Sequence, residues 1–530
     1  MPQPYYITTP IYYVNDRPHI GHGYTTLVAD AAARFARLAH RDVWFLTGTD
    51  EHAEKVVESA ATHGVTPIQW ADRNAQAFQE AFKALGCSND DFIRTTQERH
   101  KSKVERYVRR LLESGDVKLG DYEGWWDPSQ EEYITEAVAK EHQFKSPVTG
   151  RDLVRRTEQN YFFDLPKYAD RLRAHIQKHP GFILPEARRN EILGRLDSGL
   201  QRVPVSRAIK ADDAASQWGI RMPGDPNHRI YVWIDALFNY MSAVDDRDEG
   251  GQKWKYWPAT VHVMAKDIIW FHAVIWPAML MALGEELPGC IYAHSFWIRE
   301  GRKMSKSLGN FLDGPTIDAY CNAFSTDAWR WFMLTQGPLG ATDADFVHTK
   351  FVEVYNADLA NGIGNAASRV SNMIGKYFEG QCPDPGPHGE LHAAATALNE
   401  QARAALDQFD IGGALQAGLQ LTRKVDAYIH TTEPFKLAKD GANMPRVASI
   451  LYDCAEALRI AAVLLSPAMP AKMADMLQRF GQAPPDAGGR AGLPLVELCA
   501  WGGLRAGTPI VKGESLFPRW DTANPPPQAV

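Results

Sequence analysis

The chain has 530 residues, 45% hydrophobic and 23% charged, with a formal net charge of −7. That is ordinary for a globular protein of roughly three or four domains. An acidic balance excludes a protein held to nucleic acid by bulk charge, so any RNA contact needs local basic patches.

In chain order, Tyr5 to Thr8 reads as a strand rich in β-branched and aromatic residues. A proline-bounded loop leads to His19-Ile20-Gly21-His22. After it, Tyr24, Leu27, Val28, Ala31, Phe35 and Leu38 recur at helical spacing. Val43 to Leu46 reads as a second strand, completing a βαβ unit and predicting a parallel sheet. Residues 98–113 predict a helix carrying Arg99, Lys101, Lys103, Arg106, Arg109 and Arg110. Two readings stand for it: an RNA-facing surface or a solvated, salt-bridged helix. Residues 116–229 are polar, broken by Pro and Gly, with aromatic clusters such as Trp125-Trp126, and read as an inserted domain. Ile230 to Trp233 reads as the strand on which the α/β pattern resumes. The apolar run from Ile268 to Leu283 contains His272 and Pro277 and is too short for a membrane span, so a buried helix is expected. From about residue 351 nearly everything is helical, and the proline-rich tail from Asn524 is expected to be disordered. The N-terminus lacks a basic segment followed by an apolar one, so no signal peptide is expected. None of the six cysteines forms a C-x-x-C pair, and reduced thiols in the cytoplasm are the simplest expectation.

Two motifs carry chemistry. In the first, a glycine between two histidines at a helix start lets a phosphate approach backbone N–H donors and two imidazoles. In the second, Lys303-Met304-Ser305-Lys306-Ser307 packs cations and hydroxyls into a Gly-flanked loop that can neutralise a leaving pyrophosphate. Each alone also fits an ordinary turn.

Together they resemble the HIGH and KMSKS motifs of class I aminoacyl-tRNA synthetases. The blocks Thr9 to His22, Thr47 to His52, Tyr231 to Tyr240, Lys266 to Pro277, Asn365 to Arg369 and Glu433 to Phe435 are similar to those of the methionyl-tRNA synthetase family. The resemblance implies an α/β fold: a Rossmann-like parallel sheet with an inserted connective domain, then an α-helical bundle that binds the anticodon. The implied domains are 1–115 and 230–292 for the two halves of the catalytic domain, 116–229 for the insertion, 293–350 for the KMSKS and stem-contact region, 351–480 for the anticodon domain and 481–530 for a C-terminal extension. It implies ATP-dependent activation of L-methionine and transfer to tRNA(Met) with a CAU anticodon. His19, Gly21, His22, Lys266, Asp267, Lys303, Met304, Ser305 and Lys306 would bind ATP, with His19, His22, Lys303 and Lys306 catalytic. Ile11, Tyr13, Trp233, Ala236, Leu237, Tyr240, Ile268, His272 and Trp276 would form the methionine cup, since a thioether favours aromatic neighbours. Asp50 would hold the substrate ammonium, and Asn365, Arg369 and Phe435 would read the anticodon.

This sequence departs from the family pattern at three places. Ala265 stands where Gly is usual, Phe435 where Trp is usual, and the stretch from Trp126 to Thr149 has no Cys for a zinc knuckle. No structural zinc is therefore expected, Mg²⁺ would arrive with ATP, and a cytoplasmic monomer without a membrane partner is expected. The alternatives are another class I specificity or a small nucleotidyltransferase with the same HxGH turn.

Overall fold

The computed structural model describes residues 2–128, 132–134, 136–304, 310–387, 389–485 and 493–527. Its main sheet has six strands, all paired in parallel: β1 (Pro4–Tyr13), β2 (Asp42–Asp50), β3 (Asp91–Arg94), β4 (Ile183–Leu184), β5 (Val261–Ala265) and β6 (Cys290–His294). The spatial order is β3-β2-β1-β5-β6-β4. Chain order reverses direction between β1 and β5, which opens a crevice at the carboxyl ends of those strands.

Seven helices organise what lies around the sheet: α1 (Ile20–Leu38), α2 (Glu98–Glu113), α3 (Val232–Leu237), α4 (Thr326–Gln336), α5 (Asn365–Tyr377), α6 (Ile411–Thr432) and α7 (Met444–Leu465). Strand side chains alternate between faces, so Ile7 and Tyr6 enter different cores. The Ile7 side is continuous with α1, α4 and the C-terminal helical bundle. The Tyr6 side packs α2, α3 and part of the inserted segment.

The structure differs from the sequence reading at two elements. The strand expected at Ile230 to Trp233 ends at Ile230, and α3 begins at Val232. A helix there puts Trp233, Ala236, Leu237 and Tyr240 at i, i+3, i+4 and i+7, a face that a strand would split. The second half of the sheet is instead supplied by β5 and β6. Within the stretch read as an insertion, Val117–Asp127 and Val154–Phe163 form a long antiparallel pair, but β4 leaves it to join β6 in the main sheet. The chain's end folds back: Asn356 exchanges hydrogen bonds with the backbone of Trp520 at 2.9 and 3.0 Å.

The catalytic layer is tied to the helical bundle by Arg330 on α4. It is fully buried and donates to Asp30 on α1 (2.6 Å) and to the carbonyls of Leu85 (3.1 Å), Pro467 (2.8 Å) and Ala468 (2.9 Å). Asp30 also accepts from Ser88 and Arg34. Burial pushes the Asp30 carboxyl up, but Arg330 and Arg34 more than offset this and hold it at about 2. Arg330→Met strands a buried carboxylate and should cost about 3–5 kcal/mol in urea denaturation. A second change, Asp30→Leu, should restore much of that loss because both charges then disappear.

Candidate active site

A cavity of about 280 Å³ opens at the β1/β5 switch point. The ends of β1 (Ile11, Tyr12, Tyr13), β2 (Asp50), β5 (Ala265) and β6 (His294) line it, with the first turn of α1 and the cup face of α3. The helix start is built by its histidines. His19 is the N-cap, and its Nδ1 accepts from the Gly21 N–H at 3.1 Å; the His19 N–H in turn donates to His22 Nδ1 at 3.3 Å. The two rings stack at 3.7 Å. A Cβ at Gly21 would lie 3.0 Å from the His19 ring, so glycine is what lets that ring fold back over the turn.

This pattern decides the tautomers. Burial lowers His19 to about 4, and burial with the neighbouring His19 also lowers His22 well below the ordinary imidazole value, so both rings are neutral at pH 7. Both Nδ1 atoms accept, so each proton sits on Nε2. The cavity therefore holds two neutral Nε2–H donors beside a helix N-terminus, suited to an anionic oxygen.

The opposite end is apolar and aromatic. Trp233, Ala236, Leu237 and Tyr240 face it from one side, Ile268 and His272 from another, and Ile11 and Tyr13 from β1. Tyr13 meets Trp233 edge-on at 5.8 Å, and Trp233 stacks on Phe271 at 4.0 Å. Tyr240 Oη donates to His272 Nε2 at 2.7 Å, while His272 Nδ1–H donates to the Ile268 carbonyl at 2.9 Å. Burial lowers His272 to about 4. Asp50, 2% exposed, is the carboxylate between this cup and the histidines.

Not every expected residue reaches the cavity. Trp276 is wholly buried behind it, against Tyr240, Phe238 and Trp257. A π-helical turn over Phe271–Ile275 advances the register and carries Trp276 off the face of Ile268 and His272. Lys266 lies at the rim, paired with Asp343 at 2.6 Å and 4.8 Å from the Phe296 ring. Lys303 Nζ is 5.8 Å from the same ring, and Phe296 lines the cavity. Met304 packs against the core, while Ser305 and Lys306 lie outside the described residues. Just past the loop, the Leu312 carbonyl accepts from the Ile20 N–H at 3.1 Å and Asp313 bridges to His19. The HxGH turn thus touches the segment that follows the second motif, nearly 300 residues away in sequence.

Ala265 is extended, at φ −81° and ψ 156°, so its backbone does not require glycine. Sequence reasoning missed His294, Phe296 and Trp297, which form the wall between β6 and the KMSKS arm. The available signal was an aromatic pair directly after an apolar strand. Burial lowers His294 to about 4, and its Nδ1–H donates to the Ser295 carbonyl. Away from the cavity, Asn365 is exposed and one turn from Arg369, which pairs with Asp426 at 2.7 Å. Phe435, 42% exposed, follows a left-handed Glu433. The basic side chains of α2 are mostly engaged: Arg99 with Asp91, Lys101 with Glu98, Arg106 with Asp245, and Arg110 with Glu285. That favours the salt-bridged reading of this helix.

The HxGH turn at the sheet switch point, beside the segment that carries the KMSKS motif, fits a class I aminoacyl-tRNA synthetase. The family model described as "tRNA synthetases class I (M)" matches residues 5–149 and 138–371. The methionine–tRNA ligase of Caldanaerobacter subterraneus subsp. tengcongensis is 41% identical over 98% of this chain and 80% of its own length. That of Streptomyces coelicolor is 40% identical over 97% and 96%. A structure of the Mycobacterium tuberculosis methionyl-tRNA synthetase in complex with methionyl-adenylate superposes with a TM-score of 0.89 at 38% identity, covering 98% of this chain and 100% of that one. The chain belongs to the methionyl-tRNA synthetase family.

The histidines set a pH dependence. In the unfolded chain His19, His272 and His294 gain a proton near pH 6.5; in the fold they stay neutral to about 4. The unfolded state binds more protons in that window, so stability falls as pH drops from about 6.5 towards about 4. Thermal unfolding between about pH 7.5 and about 5 should show the fall in Tm. His19→Asn, which keeps an N-cap oxygen, should flatten it.

Proposed function

We propose that this chain joins L-methionine to ATP, releases pyrophosphate, and passes the methionyl group from methionyl-adenylate to the 3′-terminal adenosine of a tRNA with a CAU anticodon. As a member of its family it is an AMP-forming aminoacyl-tRNA ligase. The observation that carries the reading is one cavity shared by an aromatic cup, a buried carboxylate and two neutral imidazole donors. The cup takes the thioether, Asp50 the ammonium, and the His19–His22 turn the phosphates.

In the first step a methionine carboxylate oxygen attacks the α-phosphorus in line, and the bond to the bridging oxygen of pyrophosphate breaks. No protein nucleophile takes part; positioning and charge stabilisation supply the rate. The Nε2–H donors of His19 and His22 bind phosphoryl oxygens without losing a proton, and Lys303, Lys306 and Lys266 meet the charge on the leaving group. Among the described residues no group of three His, Cys, Asp or Glu side chains is placed to hold a metal ion. Mg²⁺ would be carried by the nucleotide's own phosphates. In the second step a hydroxyl of the terminal adenosine attacks the methionyl carbonyl and AMP leaves.

Asn365 and Arg369, one turn apart on α5, with the exposed ring of Phe435, are the proposed anticodon readers. Among the described residues no helix is long and apolar enough to cross a membrane. A monomer working in the cytoplasm fits this role.

Lys303→Ala should lower methionine-dependent pyrophosphate exchange by on the order of 10²–10³-fold, with the KM for methionine nearly unchanged; unaltered exchange would remove Lys303 from the mechanism. Phe435→Ala should weaken charging of CAU-anticodon tRNA by about 1–3 kcal/mol, the worth of one stacked base. Pyrophosphate exchange without tRNA should stay at the level of the unaltered protein.

A further inference from the structure

Beneath the cup lies a buried polar array that touches no part of the cavity. Asp235, 1% exposed, accepts from His52 Nδ1 at 2.6 Å and from His100 Nε2 at 2.7 Å, and His100 Nδ1 meets Ser242 Oγ at 2.7 Å. His52 and His100 are themselves 5% and 0% exposed. Three separate segments converge here. Asp235 is on α3, between Trp233 and Ala236 of the cup. His52 is two residues beyond Asp50. His100 is in the first turn of α2.

The residue between Asp50 and His52 is anchored elsewhere. Glu51, fully buried, accepts from Thr49 Oγ1 (2.7 Å), Thr96 Oγ1 (2.5 Å) and the Arg94 guanidinium (2.7 and 3.0 Å). Its N–H donates to Thr95 Oγ1 at 2.9 Å, and its carbonyl accepts from Trp218 Nε1 at 2.6 Å. Asp50 thus leads into two fixed residues, one held towards β3 and one held to α3. Only the His52–Asp235 bond in this set runs from the Asp50 segment to the helix that carries the cup.

We propose that Asp235 is a positioning residue for the amino-acid substrate: its bond to His52 fixes the distance between the Asp50 carboxylate and the Trp233–Tyr240 cup. The span from ammonium to side-chain terminus is what distinguishes amino acids of similar polarity, so this bond sets which length of substrate fits. A carboxylate suits the role because it accepts from both imidazoles at once, one at each oxygen, and losing either bond leaves a buried charge less fully paired. Burial pushes the Asp235 carboxyl up, and His52 and His100 outweigh it, holding it at about 2.

This inference rests on the cavity being the methionine site. Pyrophosphate exchange with each variant separates the two claims. His52→Leu should raise the KM for methionine by on the order of 10–100-fold, the scale of a displacement of about 1 Å, with the KM for ATP unchanged. His52→Asn, whose amide can still donate to Asp235, should recover most of the loss. A merely structural role would lower the active fraction in both variants and leave both KM values alone, which would overturn the proposal. If the unaltered protein shows no methionine-dependent exchange, the underlying site reading fails instead. Should His52→Leu not fold, Asp235→Asn carries the same test, since its amide cannot accept from both histidines. It too should raise the KM for methionine alone, and an unchanged value would refute the role.

Discussion

Burying a guanidinium and a carboxylate costs several kcal/mol per ion before their attraction is counted. Arg330 and Asp30 are both removed from water, and their geometry shows how the expense is met: every contact either makes is a hydrogen bond to a fixed group. Asp30 sits in the helix whose first turn is His19 to His22. Arg330 grips carbonyls at the turn where α7 ends, in the bundle that also carries Asn365 and Arg369. A half-turn of α1 would leave a charge stranded, so the phosphate-facing turn holds one orientation relative to the helical domain. Rotational freedom at that turn would blur the placement of both imidazole donors.

Within the cavity, charge is separated by design of the chain. The imidazoles are kept neutral by burial and by each other, which avoids repulsion between two imidazoliums at 3.7 Å. Positive charge is left to Lys266 and Lys303, beside the Phe296 ring. Neutral donors thus line the cavity itself, with full positive charges at its periphery. The cup is apolar and aromatic, and the buried carboxylate of Asp50 lies at its edge.

Much of this was legible in the sequence, because it is local. The apolar period after His22 predicts α1, the apolar run from Val43 to Leu46 predicts β2, and the two motifs point to the chemistry. What was not legible depends on distant partners. Ile230 to Trp233 carries β-rich residues, yet it ends a strand and starts a helix, because the tertiary setting needs Trp233 and Tyr240 on one face. The signal at i, i+3, i+4 and i+7 was present but short. Ile183 and Leu184 make a two-residue strand that no local pattern could mark. The basic residues of α2 left two readings open until their acidic partners, many of them remote in sequence, came into place. Trp276 left the cavity through a π turn, which has no compositional signature.

The pairing of β1 with β5 has a further consequence for how the chain is made. Ile7 pairs with Val261, so the first strand leaves the ribosome some 250 residues ahead of its neighbour. At about 5–20 residues per second that is an interval of roughly 10–50 s. Throughout it, β1 can pair with β2 but presents its other edge, together with apolar faces that end up buried on both sides. The crevice between β1 and β5 cannot exist during that time, so the nascent chain passes through a long stage with half a sheet and no site. Completion of the sheet, and with it of the cavity, is therefore timed by translation itself.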